Sequence, residues 1–104
     1  MATNTEKAIA IKAAANSITY HSGVWTEIRE DMREVKPLVS KRVYDMLQRM
    51  SLIEVRIQRI LRGLDSGSVE DVRSLKLTLI YRRGDVREEL ARLGHPEMAD
   101  ELLA

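Results

Sequence analysis

The chain has 104 residues, which suits a single domain. It has no cysteine and no phenylalanine, and aromatics are only 4%; disulfides and thiolate metal sites are excluded, and a core must come from Leu, Ile, Val, Met and Ala. The 17 basic and 16 acidic residues nearly cancel at +1, which argues against a wholesale polyanion binder.

No window shows the two-residue alternation of a strand, so the expected fold is all-α. Residues 1–5 should fray, with Asn4 or Thr5 capping a helix that starts near Glu6. Ile11, Ala14, Ile18, His21, Trp25, Ile28, Met32 and Val35 then repeat at heptad-like steps and predict one helix over 6–35. Gly23 weakens it by about 1 kcal/mol. Pro37 ends it, because the residue before a proline avoids the helical region. A reversal at Pro37 is favoured over a kink, since two long apolar stripes then cover each other.

The second helix, over 38–64, is the most regular stretch. Val39, Val43, Met46, Met50, Ile53, Ile57, Ile60 and Leu64 alternate steps of four and three. Leu47 and Leu61 widen the stripe on one flank, as a helix touching two neighbours requires. Residues 33–62 hold 8 basic and 3 acidic residues, an excess of +5 between mildly acidic flanks.

Residues 64–68 are turn chemistry, and Ser68 followed by Asp71 resembles a capping box. A third helix over 69–93 follows Val72, Leu75, Leu79, Val86, Leu90 and Leu93 and stops at Gly94; a continuous helix through Gly84 is favoured over a break there with Asp85 and Glu88 as a fresh cap. Pro96 opens a short last helix over 96–103, with Met98, Leu102 and Leu103 on its apolar edge. Together these predict an elongated bundle of three long helices plus a short C-terminal one, with heptad-like packing. Such a slender fold buries little surface, so an oligomer is expected.

Arg42, Arg49 and Arg56 recur every seven residues beside the seam, and Arg59 and Arg62 extend the charge. The simpler account is that their stems cover the stripe and their heads pair with carboxylates; the sharper one is a ladder of phosphate contacts. Arg82 and Arg83 interrupt the third stripe; the simpler account is an exposed bend beside Gly84, and the sharper one makes them partner contacts. Trp25 is the only tryptophan, a core residue on the simpler account and an interface anchor on the sharper one. His21 lies one turn before it and reads as a packing residue; burial would make stability fall below a pH of about 6.5. His95 reads as turn chemistry.

Nothing suggests catalysis: there is no nucleophile with a base in reach, no phosphate loop and no paired carboxylates, and no cofactor or metal is expected. The first residues lack a basic start followed by an apolar run, and no stretch approaches the ~20 apolar residues of a membrane span, so a cytoplasmic protein is expected. The leading expectation is a helical interaction protein, an adaptor, regulator or assembly subunit such as phages and mobile elements encode, bound to a protein partner or to itself. The second is a nucleic-acid-binding accessory protein using the basic central helix.

Overall fold

A computed structural model of the chain describes residues 2–20 and 25–102, with only the backbone of residues 19 and 20. Among the described residues there is no strand, and the fold is all-α. Four α-helices follow one another among the described residues: α1 (Asn4–Tyr20), α2 (Trp25–Val35), α3 (Lys41–Leu61) and α4 (Val69–Arg92). Short 3₁₀ turns occupy Lys36–Leu38 and Pro96–Glu101. The molecule measures 43 × 22 × 21 Å.

Where the heptad pattern predicts one helix over 6–35, the structure has two, and α2 lies along α1. The Ser17 hydroxyl donates to the Asp31 carboxylate, although 14 residues of straight helix would hold them about 21 Å apart. Side-by-side packing buries Ile11, Ala14 and Ile18 of α1 together with Ile28, Met32 and Val35 of α2, which one unbroken rod would leave to find other cover. His21 and Gly23 lie outside the described residues, so the reading of His21 finds no structural counterpart. Thr3, not Asn4 or Thr5, caps α1: its hydroxyl accepts the Glu6 N–H at 3.1 Å.

The chain reverses at Pro37. Lys36 sits 5.5 Å from the Tyr44 ring, near the start of α3, while Trp25 at the far end of α2 meets Arg62 just past the end of α3. Ser40, in extended conformation, caps α3 by accepting the Val43 N–H at 3.3 Å. The helix ends at Leu61, three residues short of the expected limit. There Gly63 takes a φ of 74°, and the Leu64 N–H reaches back to the Arg59 carbonyl at 2.8 Å.

The capping box at α4 is present in full: Ser68 Oγ accepts the Asp71 N–H at 3.1 Å, and Asp71 accepts the Ser68 N–H at 2.7 Å. The helix runs unbroken through Gly84 and is closed by Gly94, at φ 87°, with the His95 N–H on the Leu90 carbonyl at 2.9 Å. The short last helix expected over 96–103 is a 3₁₀ helix over Pro96–Glu101; Leu102 is buried, and Leu103 lies outside the described residues. His95 ties the ends of the fold together, with Nε2 2.9 Å from Thr5 Oγ1 and Nδ1 2.8 Å from Glu97.

α3 lies along α4 in the opposite direction, since Arg42 at the start of one bonds Glu89 near the end of the other at 3.2 Å. At 17 and 11 residues, about 25 and 16 Å, α1 and α2 are shorter than α3 and α4, about 31 and 36 Å. The start of α1 is held near the end of α4 by the Thr5–His95 contact, and α2 runs back from the level of Arg62 towards that of Tyr44. Val43, Leu47, Met50 and Ile57 are buried, while Leu61 and Leu64 are exposed.

Candidate functional site

α4 has two unlike faces. Val72, Leu79, Val86 and Leu90 face the core, together with buried Arg83 and Glu89. On the opposite side Leu77, Ile80 and Tyr81 stand 62, 58 and 80% exposed, and Val69 at the first turn is 75% exposed. Positions 77, 80 and 81 are neighbours on one helical face, being three and four residues apart. Gly84 continues that face one turn further on. A Cβ built there would meet nothing within 4 Å, so the face carries an open notch at this point. Arg73, which also bonds Glu70 at 3.3 Å, and Glu88, which also borders the α3–α4 cleft, are both exposed and bracket it.

The periodicity of the third stripe had singled out other residues. Arg82 and Arg83 part company in the structure. Arg82 lies at the α3–α4 cleft, 3.8 Å from Asp85. Arg83 is 5% exposed, and its Nε has no hydrogen-bond partner. Burial pushes its pKa down, and Arg87 adds to this, against the pull of Glu54. A buried arginine inside the core is thus the reason the stripe fails at this point. The outer face was missed because it is made of the residues left over once the core stripe is taken out; the spacing of Leu77, Ile80 and Gly84 was its only signal.

The arginines of α3 are dispersed. Arg42 and Arg49 reach a cleft of about 470 Å³ between α3 and α4, where they meet Arg82 and Arg92. Asp45, Asp85, Glu88 and Glu89 line the same cleft, so four cations face four carboxylates. Glu89 is held below the usual carboxylate range by its hydrogen bonds from Arg92, with Arg42 adding to the effect. Arg59 grips Asp65 with two hydrogen bonds of 2.9 and 3.0 Å across the turn, and Arg56 lies exposed near the same carboxylate. Arg62 turns away to the Trp25 ring, 5.7 Å from its centroid.

Trp25 is half-buried, packs against the core, and lines a groove of about 500 Å³ between α2 and α3 with Ile28, Met32, Tyr44, Leu52 and Val55. Its Nε1 is buried without a hydrogen-bond partner.

A second polar feature lies within the helix pairs. Glu54 is 6% exposed, accepts from Gln58 Nε2 at 2.9 Å, and burial raises its pKa above the usual value. No group of three or more His, Asp or Glu side chains among the described residues is placed to hold a metal ion. No helix among them is long and apolar enough to cross a membrane.

No family model matches the chain, and neither a curated protein nor a solved structure matches it. The fold and its surface therefore carry the functional argument alone.

Proposed function

We propose that this chain is a non-enzymatic helical interaction protein, an adaptor, regulator or assembly subunit, and that its working surface is the outer face of α4. One observation carries this: Leu77, Ile80 and Tyr81, 58 to 80% exposed, adjoin one another on a helix whose other face is already buried in the core. Single apolar residues are ordinary on a protein surface, whereas a contiguous set rimmed by charge is where partners dock. In this reading α1 to α4 form an elongated bundle with heptad-like packing on the inner stripes, and the exposed apolar face is what that packing leaves free.

The experiment is a titration with an environment-sensitive apolar dye. The wild-type chain should bind it, and Leu77→Glu and Tyr81→Glu should each abolish most of the binding with unchanged helicity. Equal dye binding by wild type and both variants would remove the α4 face from the proposal.

The reading as a nucleic-acid-binding accessory protein draws less support. Arg42 and Arg59 are engaged by Glu89 and Asp65, Arg62 stacks on Trp25, and the cleft that gathers Arg49 and Arg82 holds as many carboxylates as guanidiniums. A ladder of three phosphate contacts would give a slope near −2.7 for log affinity against log salt; flat or absent binding to DNA and RNA at low salt would close that reading.

A further inference from the structure

We propose that the partner on the α4 face is a second copy of this chain, its own α4 running antiparallel, so that Leu77 of each copy seats over Gly84 of the other. This rests on the reading of that face as a docking surface and names its occupant.

The register of α4 singles out this pairing. Arg73, Leu77, Ile80 and Gly84 follow one another at steps of four, three and four, the spacing of a helix-packing seam, on the side of α4 opposite its core stripe. The pairs Leu77 and Gly84, Ile80 and Tyr81, and Arg73 and Glu88 are all centred on one point of the helix, midway between residues 80 and 81. A two-fold axis through that point therefore sets a large side chain against the notch at each end of the patch. It sets Ile80 against Tyr81 in the middle, and a cation against an anion at both rims. Each contact occurs twice, as an isologous interface requires.

The notch matters because helix axes approach most closely where a side chain is missing. Gly84 has nothing within 4 Å of the place its Cβ would occupy, so the space is open to a neighbour. A parallel pairing has no such fit: it sets Arg73 on Arg73 and Glu88 on Glu88, and leaves both notches facing each other. From Arg73 to Glu88 the face is about 23 Å long. A contact of that size falls at the low end of specific interfaces, so the dimer should form in the micromolar range or above, not persist at nanomolar concentration.

Sedimentation from low micromolar to submillimolar concentration tests this. Wild type should pass from monomer to dimer. Arg73→Glu and Glu88→Arg each place like charges at both rims and should weaken association by about tenfold. The combined Arg73→Glu, Glu88→Arg chain should recover to within about threefold of wild type, because the swap restores the pairs only when the helices are antiparallel. All of these side chains are exposed, and circular dichroism serves as the control for folding. A dimer that ignores either single swap, or that the double swap fails to rescue, overturns the register. A chain that is monomeric throughout overturns the second copy as occupant: if it still binds the apolar dye through Leu77, the docking face stands without it, and if it binds no dye, both readings fall.

Discussion

Leu47 and Leu61 lie two heptads apart on the same stripe of α3, yet Leu47 is fully buried and Leu61 is 60% exposed. Helix geometry gives the two residues the same direction. What separates them is whether another helix stands opposite. Leu47 lies within the core shared by the four helices, whereas Leu61 is the last residue of α3, beside the exposed turn at Gly63 and Leu64.

Leu47→Ala should therefore cost about 2–5 kcal/mol, the lost transfer energy plus that of the cavity left behind. Leu61→Ala should stay within about 0.5 kcal/mol of wild type, as surface substitutions do. Urea unfolding of both variants checks the contrast. Equal losses would mean that the tip of the α3–α4 pair is covered in solution.

The capping box sets the start of α4. Ser68→Ala removes the acceptor for the Asp71 N–H, and the expected loss is about 1 kcal/mol, together with fraying of the first turn. Hydrogen exchange at the amides of residues 70–72 should accelerate in the variant, and global unfolding should shift by the same amount.

Glu54 and Glu89 predict opposite responses to pH. Burial raises the folded-state pKa of Glu54, so its neutral form is favoured by the fold. Its contribution is full below the unfolded value of about 4.5 and is lost as pH rises through the folded value. Glu54→Gln should therefore be more stable than wild type at pH 7, with the gap closing near pH 4. The Arg92 hydrogen bonds, with Arg42 nearby, lower the folded-state pKa of Glu89. The stability it contributes is present above about 4.5 and disappears as pH falls through the folded value. Glu89→Gln should be less stable than wild type at pH 7 and converge with it in acid. Denaturant midpoints across pH 3–8 for the two variants read both signs at once.

Gly84 offers a separation of two effects. It sits inside a long helix, and an added Cβ meets no atom of its own chain within 4 Å. Gly84→Ala should stabilise the isolated chain by about 0.5–1 kcal/mol through reduced freedom of the unfolded state. The same methyl group partly fills the notch, so self-association should weaken while the monomer becomes more stable. Unfolding at low concentration and sedimentation at high concentration are the two measurements. A gain in both would count against the seat of Leu77 on Gly84.

Much of the chain's local structure is legible in its residues. Pro37 marks the joint before α3 but not the direction the chain takes there, while Ser68 and Asp71 mark the start of α4 and Gly94 its end, because each acts through backbone geometry within a few residues. The seam of α3 is equally plain, since seven residues of spacing suffice to define a helical face. The first segment is different. Its heptad steps run straight across residues 21–24, and only the neighbours that Ile18 and Ile28 find in space divide it into α1 and α2. Arg83 shows the same limit: its sequence position marks an interruption, but burial of a cation depends on what packs around it.

The amino-acid sequence alone determined that the chain is helical, where α4 starts and stops, and that α3 carries an apolar stripe, because those properties follow from propensity, caps and period. Tertiary structure decided which stretch of each stripe is sheltered, which arginines meet carboxylates, and that α4 keeps a second, exposed apolar face at Leu77, Ile80 and Tyr81. Burial is a relation between distant segments; a spacing pattern gives the direction of a side chain and leaves open whether anything stands in front of it.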